Sequence, residues 1–240
     1  MKNIHLLFIT LGGSLLLIFG VTFLFARQQE QAVAVNQAEL LDGARHSFSQ
    51  TIATATPSAS IKPQVTPSAS DSATPSADQT EQKITVVEFS DFQCPACRAS
   101  AKIKNEIFTQ FPTNVEFVYR HFPLTSIHDK AILAAQASEA ASKFNKFWEM
   151  HDQLFENQES WEKLGNDEAK KTFIDYAVAL GINKDDFAKA LEDDTVRQAV
   201  QMDADLANKL NLSSTPTFFV NDKKVSAPEV IPTIEQLRQS

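Results

Sequence analysis

Cys94 and Cys97 are the two cysteines of this 240-residue chain, and they stand three positions apart as Cys94-Pro95-Ala96-Cys97. A pair at this spacing has three chemical uses: thiol-disulfide exchange, a local disulfide staple, or part of a metal site. A staple across so short a loop removes little chain entropy. A zinc site generally takes four ligands, and His121, His128 and His151 would have to converge on the cysteines without any familiar spacing. Exchange needs one accessible sulfur of low pKa and a more buried partner. A Cys-x-x-Cys that opens a helix supplies both.

The flanking residues put the pair at such a position. Lys83-Ile84-Thr85-Val86-Val87-Glu88-Phe89 is short and rich in β-branched residues, the pattern of a buried strand. Ser90 and Asp91 break it, and Ala96 to Gln110 then reads as a helix with Ile103, Ile107 and Phe108 on one side. Pro95 suits a first helical turn and leaves Cys94 near the N-cap. There the free amides and the positive end of the helix dipole favour a thiolate, so Cys94 is the expected attacking sulfur. Cys97, one turn on, can resolve a mixed disulfide.

Glu88 is the misfit in the strand. A carboxylate among Ile, Val and Phe loses hydration unless it is protonated or meets water. One reading is that it shuttles a proton to or from Cys97; the other is an outward-facing or merely tolerated acid.

The run Glu88-Phe89-Ser90-Asp91-Phe92-Gln93-Cys94-Pro95-Ala96-Cys97 resembles the active-site segment of the DsbA-like thiol-disulfide oxidoreductases of the thioredoxin superfamily. Val115 to Tyr119 with Arg120-His121-Phe122-Pro123-Leu124 is similar to that family's second core strand and exit. Phe147 to Phe155 resembles its inserted helical region, and Ser214-Thr215-Pro216-Thr217-Phe218-Phe219-Val220 its cis-proline loop and following strand. The resemblance implies an α/β thioredoxin fold with a helical insertion over residues 83–240, catalysis by Cys94, Cys97 and Glu88, and substrate contact through Pro95, Ala96, Thr215 and a cis Pro216. Read from the residues alone, Pro216 would simply begin an edge strand, where proline is tolerated. The strongly oxidising members carry Pro-His between the cysteines; Pro95-Ala96 lacks that histidine, which points to a less oxidising couple.

Two unlike segments precede this region. Ile4 to Phe25 contains no Asp, Glu, Lys or Arg, and 22 helical residues span roughly 33 Å, enough for a bilayer core of about 30 Å. Residues 1–27 therefore read as a transmembrane anchor, with an uncleaved or cleavable signal as the alternative. Lys2 and the free amino group slightly favour a cytoplasmic N-terminus, which places the rest outside. Residues 28–82 read as a flexible linker apart from a weakly amphipathic piece around Ala32 to Leu41. Its core repeats Thr56-Pro57-Ser58-Ala59-Ser60, Thr66-Pro67-Ser68-Ala69-Ser70 and Thr74-Pro75-Ser76-Ala77-Asp78, too polar and proline-rich to bury a core. About 55 such residues reach on the order of 40 Å.

Net charge is −8, and residues 83–240 hold 18 Lys or Arg against 24 Asp or Glu with no basic run, which excludes nucleic acid as an expected partner. Helical spacing of apolar residues recurs at Ala131–Ala141, Phe144–Phe155, Ala169–Leu180 and Thr195–Leu210, with Gly181 ending one helix. Lys223 to Ser226 reads as a last strand and Pro228 to Arg238 as a closing helix. Phe92 and Phe122 are candidates to line a shallow groove for unfolded substrates. The expected activity is extracytoplasmic disulfide formation or exchange on protein or peptide thiols, from a single-pass protein of the cell membrane. It needs no bound cofactor, and the resemblance implies reoxidation by a membrane protein passing electrons to quinone. The alternatives are a dedicated reductase, as in cytochrome maturation, and a tethered metal-binding or delivery module.

Overall fold

β-branched and aromatic residues of the 84–90 segment form the centre of a five-stranded sheet, in a computed structural model that describes residues 35–49 and 83–240. The expected anchor, residues 1–27, and the linker residues 28–34 and 50–82 lie outside the described residues. Among the described residues no helix is long and apolar enough to cross a membrane.

In chain order the elements are α1 (Gln37–Leu41), β1 (His46–Phe48), β2 (Ile84–Ser90), α2 (Pro95–Ser100), α3 (Ile103–Gln110) and β3 (Val115–His121). An insertion of helices follows: α4 (Ala131–Ser142), α5 (Phe147–Glu156), α6 (Gln158–Trp161), α7 (Asn166–Ala179), α8 (Lys184–Leu191) and α9 (Asp194–Lys209). The chain closes with β4 (Thr217–Val220), β5 (Lys223–Val225), a 3-10 turn and α10 (Val230–Arg238). Helices α6 and α8 add to those expected from periodicity. Gly181, at φ +84°, follows the end of α7, a backbone conformation that glycine adopts without strain.

The strand order is β1-β3-β2-β4-β5, with β2 and β3 parallel and the other pairs antiparallel. Every residue of β2 is buried. Alternation along the strand puts Ile84, Val86, Glu88 and Ser90 on one face and Thr85, Val87 and Phe89 on the other. The first face packs with Ile103, Ile107 and Phe108 of α3 and Val230 and Ile234 of α10.

Two expectations change here. The linker reading of residues 28–82 does not hold for Gln37 to Phe48, which form a helix and an edge strand. Leu40 is fully buried, and β1 pairs with β3, with His46 opposite Tyr119. Arg120, on β3, donates to the carbonyls of Leu40 and Asp42 at 2.8 and 2.6 Å, so buried charge as well as apolar contact holds this strap. Phe48 lies opposite Phe117 and Ile84 opposite Val115. The chain therefore leaves and re-enters the same end of the sheet around residues 49–83, at the pole away from Cys94.

The second change is in the helix expected from Ala96 to Gln110, which is broken at Ala101 and Lys102. The Ser100 hydroxyl donates to the Cys97 carbonyl at 2.9 Å, and the Ala101 amide bonds to Arg98 three residues back. A side chain competing for a helical carbonyl loosens the regular ladder at that point.

Candidate active site

The β2 strand ends at Ser90, and a four-residue turn delivers the chain to Pro95 at the head of α2. The Cys94 amide donates to the Asp91 carbonyl at 3.0 Å, and its carbonyl receives the Arg98 amide at 3.1 Å, so Cys94 is the N-cap. Asp91 fastens the turn. Its carboxylate accepts the Gln93 and Leu124 amides, each at 2.8 Å, and pairs with His128 Nδ1 at 2.7 Å. Its own amide donates to the Cys97 sulfur at 3.5 Å. The Gln158 side-chain amide, from α6, adds bonds to the Phe92 and Cys94 carbonyls at 2.7 and 2.9 Å.

Both cysteines are free thiols, Cys97 fully enclosed and Cys94 with a small exposed surface of 8%. The two differ sharply in acidity. A hydrogen bond from the Cys97 thiol lowers Cys94 to about 5, and the Cys97 and Ala96 amides at the helix head act in the same direction against partial burial. Burial, with the proton engaged by Cys94, pushes Cys97 far up.

Thr215 and Pro216 close the other side of the sulfur through a cis peptide bond. The Cys94 thiol donates to the Thr215 carbonyl at 3.5 Å, which favours the protonated form. The buried Thr215 hydroxyl, without a hydrogen-bond partner among the described residues, favours the thiolate instead. β4, which Pro216 precedes, lies between β2 and β5 rather than at the sheet edge, so the edge-strand reading of this proline is corrected. Pro95 and Ala96 are exposed beside Cys94.

Glu88 is 1% exposed, and its carboxylate accepts the Ser90 and Ser100 hydroxyls at 2.9 and 3.3 Å. It is not outward-facing. Burial pushes its carboxyl up to about 7, against the pull of the two hydroxyls and of the Lys104 ammonium. Lys104 is itself buried, paired with Asp152 at 3.1 Å and lying 4.7 Å from the Trp148 ring.

The histidines are more buried than their sequence context suggests. His121 and His151 are each 1% exposed, and burial lowers His151 to about 4. They do not gather around the cysteines as ligands. The described residues instead bring together His46, His121 and Glu139, where the Glu139 carboxylate already accepts from Arg45 at 3.0 Å and contacts both imidazoles at 2.9 and 3.1 Å. That donor set fits an ion-paired carboxylate. Phe92, at 1% exposed, is interior rather than groove-lining, whereas Phe122 borders a groove of about 600 Å³ with Leu124, Ile132 and Val200.

Sequence reasoning missed Asp91, Ser90, Ser100, Lys104 and Gln158. Ser90 and Asp91 registered only as a break in the strand. The other three carry no spacing signal, because their partners are distant in the chain.

Residues 73–239 match the family model described as Thioredoxin. The solved structure of BdbD from Bacillus subtilis, in oxidised form, is 31% identical and superposes with a TM-score of 0.57 over 68% of this chain and 91% of that one. A thioredoxin-like oxidoreductase from Silicibacter pomeroyi is 25% identical, with a TM-score of 0.54 over 67% and 89% of the two chains. Among curated proteins, a Na(+)/H(+) antiporter NhaA 3 from Salinispora tropica is 38% identical over 148 residues, 62% of this chain. The chain spans only 22% of the length of that relative.

Proposed function

The chain belongs to the thioredoxin family, and from that premise we propose that it is an extracytoplasmic protein thiol-disulfide oxidoreductase working through Cys94 and Cys97. The observation that carries this reading is the contrast between the two sulfurs. Cys94 at the mouth of α2 is lowered to about 5, while Cys97 beneath it is held as a thiol by burial. The likeness to the Silicibacter protein, described as a thioredoxin-like oxidoreductase, and to BdbD in its oxidised form supports the same chemistry. The antiporter name of the curated relative belongs to a much longer protein and is not carried to this chain.

In the oxidising direction, a substrate thiolate attacks the Cys94 sulfur of the Cys94–Cys97 disulfide, forming a mixed disulfide and releasing Cys97 as a thiolate. A buried thiolate is costly, and Glu88, close to half protonated at neutral pH, supplies the proton. A second substrate thiolate then attacks the substrate sulfur and expels the stabilised Cys94 thiolate. The substrate gains one disulfide, and the protein keeps two electrons as a dithiol. Thr215 backbone groups beside the cis Pro216 align an extended substrate strand, with Pro95 and Ala96 flanking the sulfur. No cofactor takes part. Reoxidation falls to a membrane protein feeding quinone, and the apolar segment Ile4 to Phe25 holds the domain at the outer face of the cell membrane.

Equilibration of the protein with glutathione buffers, together with oxidative folding of a reduced substrate protein, tests this reading. Accelerated disulfide formation and a poise more oxidising than cytosolic thioredoxins are expected. A thioredoxin-like potential would favour a reductase, and stoichiometric metal on Cys94 and Cys97 without acceleration would overturn the proposal.

A further inference from the structure

The Asp91 amide donates to the Cys97 sulfur at 3.5 Å and the Asp91 carbonyl accepts the Cys94 amide at 3.0 Å, so both cysteines depend on where this one residue stands. Its side chain is fully buried, and a carboxylate shut away from water needs donors aimed at it. Oδ1 accepts the Gln93 amide from within the turn. Oδ2 accepts the Leu124 amide at 2.8 Å and meets His128 Nδ1 at 2.7 Å. A carboxylate only accepts, so this Nδ1 carries the hydrogen.

Resting on the proposed dithiol reaction, we propose that His128 is a positioning residue for Cys97: it holds the Asp91 carboxylate so that the Asp91 amide stays on the resolving sulfur. His128 hydrogen-bonds to the active-site turn, whereas His121 and His151 bond elsewhere, to Glu139 and Asp152. The segment that carries it, between β3 and α4, is itself ordered by hydrogen bonds. The His128 amide donates to the Leu124 carbonyl at 3.0 Å, and its carbonyl accepts the Ala131 amide at the head of α4 at 3.4 Å. The next two residues grip the turn as well. The Gln93 side chain donates to Asp129 Oδ1 at 3.0 Å and accepts the Lys130 amide at 2.6 Å. The turn is thus clamped at Asp91 and at Gln93, immediately before Cys94. The His128 side chain is 14% exposed while that of Asp91 is closed off, so loss of the imidazole strips a buried acid of a donor without opening the core.

Resolution of a mixed disulfide on Cys94 uses the Cys97 sulfur as a thiolate. The proton leaves the Cys97 S–H, with Glu88 as its proposed acceptor. The thiolate attacks the Cys94 sulfur, forms the Cys94–Cys97 bond and expels the substrate sulfur with the bonding electron pair. Charge rests on the Cys97 sulfur until the new bond forms, and a fixed amide aimed at that sulfur stabilises it without reorganising. The same amide serves Cys97 as a leaving group in the reverse step. His128 touches neither sulfur nor substrate; it acts through Asp91.

Stopped-flow mixing of the reduced protein with dithionitrobenzoate separates the two sulfurs. Attack by Cys94 releases a first coloured thiolate at a rate that rises with reagent concentration. Attack by Cys97 on the resulting mixed disulfide releases a second at a rate independent of it. His128→Ala is expected to slow the second release about tenfold and to leave the first within about twofold of wild type. His128→Asn, whose side-chain amide stands where Nδ1 does, restores the second release to within about threefold of wild type. Asp91→Asn slows the second release as well, and adding His128→Ala to it slows it little further, because both changes act on one contact. A wild-type second release by His128→Ala, equal slowing of both releases, no rescue by His128→Asn, or multiplied losses in the double variant would each overturn the role of His128. A wild-type protein that gives no second release would instead remove the dithiol reading itself, and the role of His128 with it.

Discussion

The Gln158 side-chain amide donates to the Cys94 carbonyl at 2.9 Å across 64 positions of sequence, tying the helical insertion to the head of the active-site helix. The same amide holds the Phe92 carbonyl. Gln158→Ala leaves both carbonyls buried without this donor, at a cost of roughly 1–3 kcal/mol. Denaturant unfolding should show that loss, with a changed Cys94 alkylation rate because the N-cap is no longer clamped.

Acidity at Cys94 gives a pH dependence of defined sign. Its folded value is lowered to about 5 from an ordinary 9.0, so the thiolate contributes stability to the reduced protein that is present above about pH 9 and is lost as pH falls through about 5. The disulfide form carries no such contribution. The margin by which the reduced form exceeds the oxidised form in stability should shrink from pH 8 to pH 4, as measured by thermal unfolding of both.

Ala96 is exposed next to this sulfur. Ala96→His introduces an imidazole that favours the thiolate. Cys94 should become more acidic, approaching the value of about 3.5 typical of strongly oxidising relatives, and the reduction potential should rise by about 30 mV per pKa unit. Glutathione equilibration measures both directions; an unchanged potential would remove the assigned importance of the Pro-Ala pair.

Glu88 has the opposite linkage. Its carboxyl is raised from 4.5 to about 7 by burial, so its contribution is fully present below about pH 4.5 and is lost as pH rises through about 7. Glu88→Gln removes this loss. The variant should gain on the order of 3 kcal/mol relative to wild type between pH 4 and pH 8, read from urea midpoints at the two values.

The strap supplies a test of the domain boundary. Arg45 bridges Glu139 and Asp203 at 3.0 and 3.1 Å, and Arg120 pairs with Asp203 at 2.8 Å, with Arg120 and both acids almost fully buried. A chain starting at Lys83 keeps Arg120, Glu139 and Asp203 but loses Arg45, His46 and the Leu40 and Asp42 carbonyls. It should be less stable than a chain starting at Gln37 by roughly 3–5 kcal/mol in denaturant unfolding.

What the sequence disclosed and what it hid follow from the range of the interactions. The β2 strand, the Cys94 N-cap and most inserted helices were legible because periodicity, Pro95 and Gly181 act over a few residues. β1 was not, since His46-Ser47-Phe48 is too short to show alternation and is held by pairing with β3. Arg120 reads as an exposed charge until Asp203, 83 positions later, is brought against it. Pro216 shows the same limit: its residues alone suggested an edge strand, and the interior place of β4 depends on pairing with β2. Ser90 and Ser100 are ordinary hydroxyls until the strand end and the helix break bring both to Glu88.

The account stands most directly on which sulfur forms the bond to substrate. Reduced Cys97→Ser and Cys94→Ser proteins, each mixed with a disulfide-bonded peptide and analysed by mass spectrometry after acid quenching, decide it. Cys97→Ser should accumulate a peptide adduct on Cys94 at neutral pH, and Cys94→Ser should form none and catalyse no exchange. Native-rate exchange by Cys94→Ser, or an adduct confined to Cys97, would contradict the account.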